Sequence, residues 1–271
     1  MTGRPMRQPA IFLPHGGGPC FFMDPPADEP TRWVALEAYL RSLPSRLPAR
    51  PDALLVISAH WETERPTVLT KPKPGLLFDY YGFPPHTYQL TYPAPGTPVL
   101  AAKLRRLLAE AGIESAEDTT RDYDHGIFVP MKVAFPEAEI PILQLSLQAG
   151  LDPAAHIAIG KALAPLRDEN IVVIGSGLSF HNLRALGDPA AQAPARAFDS
   201  WLTHTLCELP PIAREAGLVD WASAPGARAS HPREEHLLPL MVAVGAAAGE
   251  AGQHAFSGTI WGKAISAYHF G

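Results

Sequence analysis

Apolar residues along this chain alternate between short continuous runs and stripes at helical spacing. Residues 10–13 form a brief apolar run that stops at Pro14-His15 and three glycines, a strand feeding a loop. Trp33, Leu36, Leu40 and Leu43 recur at helical intervals, predicting a helix over 31–43 that ends before Pro44. Residues 53–58 make a continuous apolar run of the kind buried on both faces of a parallel sheet, and 140–147 and 170–175 read as two further strands. Helices are predicted over 99–111, closed by Gly112, over 154–166, where Pro165 should end it, and over 195–206 and 237–248. Residues 256–268 should supply late strands.

Strands that alternate with helices pair in parallel and carry helices on both faces. The expectation is therefore an α/β fold, a single three-layer domain over 1–271 with a mostly parallel central sheet flanked by helices. No repeat, low-complexity tract or linker divides it. The exception to compactness is the proline-rich segment 71–97, with Phe78, Tyr80, Tyr81, Phe83, Tyr88 and Tyr92. Loops this long are commonly covers or binding loops. Its rings suit an aromatic ligand, or else they pack a surface flap onto the core.

A formal net charge of -5 without a basic run argues against nucleic acid as a partner. No apolar stretch is long enough to span a bilayer, and Met1 to Pro9 lacks a secretory core, so a cytoplasmic location is expected. Cys20 and Cys207 are expected as unpaired thiols. No heptad or exposed strand sets an oligomeric state, and no arginine or lysine is marked as partner for a substrate carboxylate.

Four histidines stand where a strand or helix should end, beside small or turn-forming residues: His15, His60, His181 and His236. Imidazole is the commonest protein ligand for a divalent transition metal, and strand ends converge at one edge of an α/β sheet, so this pattern points to a metal site. Gly16, Gly17 and Gly18 would let backbone approach a ligand closely; they lack the fingerprint of a dinucleotide or phosphate loop. Pro232 and Glu234 suit the first turn of a helix carrying His236, and Pro239 would bend that helix beside it. Glu235 is a rival ligand, although adjacent helical side chains point about 100° apart. His231 reads as a cap or surface residue. His125 is a fifth candidate: with Asp122 or Asp124 orienting its ring it suits acid–base chemistry, and an Asp-His turn capping the next helix is the alternative.

The stretches His15-Gly16-Gly17-Gly18, Ser58-Ala59-His60-Trp61, Tyr80 to Pro84, Tyr92 to Gly96, Tyr123-Asp124-His125-Gly126, Pro141 to Leu147, Gly175 to Leu183 and Glu235 to Gly245 occur in one collinear order. In that order the chain resembles the class III extradiol ring-cleavage dioxygenases, in their DOPA 4,5-dioxygenase branch. The resemblance implies metal binding by His15 and His60, and by His236 where the wider superfamily has glutamate. It gives His181 as a further ligand or the acid–base residue, and His125 as the residue that binds or deprotonates the ring hydroxyl. It further implies a catechol-type, DOPA-like aromatic diol and O₂ as reactants. Non-haem iron(II) is the metal expected for turnover, and zinc(II) also suits an all-histidine site. The same histidines would serve a zinc-dependent hydrolase, and the same scaffold a non-catalytic binding protein.

Overall fold

The computed structural model describes residues 7–271. Its elements run β1 (Ala10–Pro14), α1 (Val34–Arg46), β2 (Ala53–Thr63), β3 (Thr67–Leu69), α2 (Pro98–Glu110), β4 (Ala116–Asp118), α3 (His125–Ala134) and β5 (Ile142–Gln148). They continue with α4 (Pro153–Leu163), β6 (Ile171–Gly177), α5 (Gln192–Cys207), α6 (Pro211–Val219), α7 (Ala227–Ser230), α8 (Leu238–Ala246), β7 (Gly252–Ile260) and β8 (Lys263–Phe270). All eight strands join one sheet in the order β4-β3-β5-β2-β6-β1-β8-β7. The centre, β5-β2-β6-β1, is parallel throughout, and antiparallel pairing enters only toward the edges, at β3–β5, β1–β8 and β7–β8.

Central strands buried on both faces explain the continuous apolar runs. Leu55 and Ile57 belong to the core under α2, α4 and α8, whereas Leu54 and Val56, pointing the other way, join the core under α1 and α3. The three layers expected from the sequence follow from this alternation.

Two helix expectations need correction. The first helix passes through Pro44 to Arg46. A proline in the last turn forfeits one bond, and the hydroxyls of Ser42 and Ser45 donate to the Tyr39 and Ser42 carbonyls nearby. The second concerns His236. Residues 231–237 form turns, and α8 begins only at Leu238, with Pro239 in its first turn. Proline is welcome there because its missing N–H has no acceptor in the first turn, so Pro239 starts the helix and does not bend it. The helix predicted over 154–166 does stop short of Pro165; a 3-10 turn carries the chain on to Asn170, which takes a left-handed conformation.

Candidate active site

The carboxyl ends of β1, β2 and β6 open at the same edge of the sheet, where α/β folds place ligands. His15 follows β1 directly, and its N–H bonds the carbonyl of Gly177 at the end of β6. His60 lies in β2 just past Ser58, where pairing to β6 ends and the register to β5 shifts, so the strand departs from the sheet there. His125 is the first residue of α3, and His181 follows β6 in a loop whose N–H at His181 bonds Ser230 O at 2.9 Å. The turn bearing His236 lies on β6 itself. Leu178 N–H donates to the His236 carbonyl, and a Cβ at Gly177 would sit 2.1 Å from that oxygen, so only glycine allows the approach.

Five imidazoles meet as a result. Ring centroids of His15 lie 4.9, 5.3 and 5.3 Å from those of His60, His125 and His236, and His60 is 3.9 Å from His125. His181 stacks on His236 at 3.3 Å. The Nε2 atoms of His15 and His60 stand 3.3 Å apart, while His236 Nε2 is buried and has no hydrogen-bond partner. One donor atom from each of His15, His60 and His236 lies within 4.8 Å of the others. Buried nitrogens are normally paired; three imidazole nitrogens brought this close, one of them without any protein partner, could hold a metal. Burial, then the charge of the neighbouring imidazoles, holds His15 and His60 well below the usual histidine range. Burial brings His236 down to about 4 against the opposing pull of Glu235. All three are neutral near pH 7, the form that ligates.

Two carboxylates fix the rings. Asp79 Oδ1 accepts from His125 Nδ1 at 2.8 Å and from its backbone N–H at 3.0 Å, and Asp79 Oδ2 is 3.7 Å from His60 Nδ1. Burial alone would raise the Asp79 carboxyl, but the hydrogen bonds and charge of His125 prevail and keep it ionised. It must therefore accept, which puts a proton on Nδ1, so that the neutral ring carries its lone pair on Nε2. Glu235 Oε1 does the same for two rings, taking His236 Nδ1 at 3.0 Å and lying 3.2 Å from His181 Nδ1. Burial opposes its ionisation too, and the bonds from His181 and His236 overcome it.

Asp79 rather than Asp122 or Asp124 orients His125. Asp122 accepts from Lys71 Nζ and Gly75 N–H, pinning the start of the long loop. Asp124 is wholly buried and takes Ser58 Oγ–H at 2.6 Å and Arg121 Nη2 at 3.1 Å, bracing the end of β2. Its side chain makes no cap bond to α3. His231 is likewise neither cap nor surface: it is buried, Nε2 donates to Ser179 O at 2.9 Å, and burial lowers it to about 3. It holds up the loop that carries His181.

The imidazoles floor a cavity of about 410 Å³. Its walls include Gly16 to Gly18, Trp33, Trp261, Phe180, and Tyr80 and Phe83 from the long proline-rich loop. That loop divides its aromatics: Tyr80 and Phe83 face the cavity, Tyr92 is buried with its hydroxyl on Phe135 O, and Tyr81 is exposed. Asp79 is marked in the sequence only as an acid inside an aromatic loop, and Trp261 carries no motif at all.

The family model described as the catalytic LigB subunit of aromatic ring-opening dioxygenase matches residues 9–269. The dioxygenase tasH of Hapsidospora irregularis is 38% identical, the match covering 97% of this chain and 85% of that protein. The 4,5-DOPA dioxygenase extradiol of Beta vulgaris is 42% identical over 81% of each chain, and that of Escherichia coli K12 is 35% identical over 89% of this chain and 85% of its own. Among solved structures, an uncharacterized protein from Escherichia coli K12 superimposes with a TM-score of 0.75 at 30% identity, covering 98% of this chain and 100% of its own. The chain belongs to the LigB family of aromatic ring-opening dioxygenases, in its class III extradiol branch. It is by that membership an oxidoreductase whose reactants are an aromatic substrate and O₂.

Proposed function

We propose that His15, His60 and His236 bind the metal of an extradiol dioxygenase that opens a catechol ring beside its two hydroxyls. The observation that carries this reading is the buried, unpartnered Nε2 of His236 facing the His15–His60 pair on the floor of an apolar cavity. Iron(II) is the metal we assign for turnover, with zinc(II) accommodated by the same all-histidine set. Such a metal supplies a Lewis acid that lowers the pKa of a bound hydroxyl and brings the two reactants to one centre.

The remaining chemistry belongs to side chains. His125, held by Asp79 with its lone pair on Nε2, accepts a phenolic proton as the diol enters. His181, held the same way by Glu235 and stacked on His236, is assigned as the proton carrier on the opposite side and not as a fourth ligand. The walls exclude water from the ring during cleavage. The whole of 1–271 acts as one catalytic unit, and a cytoplasmic location suits a chain in which no described helix is long and apolar enough to cross a membrane.

Anaerobic loading with iron(II), followed by catechol and O₂, should give oxygen uptake and a yellow semialdehyde. Hydrolysis by the zinc form, with no oxygen uptake by the iron form, would return the site to the hydrolase reading.

A further inference from the structure

The cavity above the histidines is chemically lopsided. Away from the imidazoles and the glycine triplet, its polar lining side chains are Arg32, Asn182 and Tyr80, whose hydroxyl donates to Thr87 O at 2.7 Å. Asn182 Nδ2 is engaged by Ala229 O at 2.8 Å. Arg32 is nearly buried, and two of its three guanidinium nitrogens are engaged by carboxylates: Nη2 meets Asp28 at 2.6 Å and Nε meets Glu29 at 2.9 Å. Two carboxylates against one guanidinium neutralise its charge, and both stand on the solvent side, outside the cavity lining. The guanidinium also lies 4.2 Å over the Trp261 ring, so one face of the planar cation is covered by indole.

Trp261 itself is costly to place. It and Gly262 form the two-residue turn between β7 and β8, both at positive φ (+49° and +72°). That turn favours asparagine at the first position, and a bulky residue there carries strain. Its indole packs edge-on against Trp33 at 5.8 Å, and both rings line the cavity with Ile260, Leu183 and Leu186. Strain retained at a pocket wall is a mark of a binding role.

We propose that this wall makes the site selective for catechols whose ring substituent is uncharged and apolar, alkyl or aryl, with Trp261 as the contact that reads it and Asp28 and Glu29 as the groups that withhold Arg32 from a carboxylate. The proposal rests on the catechol reading above. A carboxylate or α-amino-acid side chain would bury charge against apolar walls, and the nearby guanidinium is already neutralised by Asp28 and Glu29.

The test is anaerobic binding to the metal-loaded protein, followed by tryptophan fluorescence, so that no turnover is needed. The probes are unsubstituted catechol, 4-propylcatechol, its length-matched carboxylate 3-(3,4-dihydroxyphenyl)propanoate, and DOPA. 4-Propylcatechol should bind at least about tenfold more tightly than either charged probe. In Trp261→Asn, which keeps the turn, 4-propylcatechol should weaken about tenfold while unsubstituted catechol stays within about twofold. In the Asp28→Asn, Glu29→Gln double variant the propanoate should gain about fivefold or more. Equal or tighter binding of a charged probe while unsubstituted catechol binds would overturn this selectivity alone. Failure of every probe, unsubstituted catechol included, would instead remove the catechol reading and this proposal with it.

Discussion

The two ends of the central strands both bury polar groups, and they treat them in opposite ways. At the amino ends Arg167 is fully buried, and its Nε, Nη1 and Nη2 donate to the carbonyls of Gln8, Ala246 and Phe270, with the Glu250 carboxylate alongside. That residue stitches the segments around β1, β6, α8 and β8 together and has no donor nitrogen left for anything else. At the carboxyl ends the imidazoles are also buried, yet His236 Nε2 and His15 Nδ1 find no protein partner. A satisfied buried polar group belongs to folding; an unsatisfied one backed by a carboxylate, as His236 is by Glu235, belongs to binding. Stability and function are thereby assigned to opposite edges of one sheet.

Substitutions can break that contrast, and the largest effect falls on the ligands. His15→Ala, His60→Ala or His236→Ala should abolish bound metal and oxygen uptake together, while for His15 and His236 the metal-free protein keeps or raises its thermal midpoint, because an unpaired buried nitrogen has been removed. Metal content and calorimetry on the same sample check both halves; a ligand variant that unfolds would blur the two ends. Next comes His125→Ala, expected to keep its metal and lose about 10²- to 10⁴-fold in turnover. Asp79→Asn should lose less, about 10- to 100-fold, since the ring remains but its tautomer is no longer dictated.

At the other edge the expected signs reverse. Arg167→Met should cost about 3 kcal/mol in denaturant unfolding, by orphaning three carbonyls and the Glu250 carboxylate, with turnover per folded molecule unchanged. The smallest effect concerns pH. His269 is buried with its ring on the Tyr39 hydroxyl at 2.8 Å, and burial, then the charge of Arg46, lowers it to about 4. An unfolded histidine takes its proton near pH 6.5, so this group's contribution is intact above that pH and drains away as pH falls toward 4. The difference amounts to about 2 kcal/mol at pH 5. His269→Gln should flatten that part of the stability profile; an unchanged slope would mean that other buried histidines, His231 among them, carry it.

Much of this was readable beforehand, for identifiable reasons. Strand ends next to glycine or proline announce themselves locally, which is why His15, His60 and His181 stood out as candidates and the structure brings them to one edge. The central strands were legible because burial on both faces leaves unbroken apolar runs. The three-residue edge strands β3 and β4 were not, since so short a segment carries no period. Asp79 could not be paired with His125 because the loop, not any spacing, closes the 46 residues between them. The setting of His236 is hidden for a different reason: Pro232 and Pro239 are both good helix starters, and the choice between them is made by the contact with Gly177 on β6.

Glu235 has a consequence of its own. One oxygen serves two imidazoles, so the ring assigned to ligation and the ring assigned to proton traffic share a single hinge pin. Neither can swivel or change tautomer without disturbing the other. Whatever tunes this carboxylate therefore adjusts affinity and acid–base behaviour in the same stroke, and Asp79 couples His125 to His60 in the same way, though more loosely.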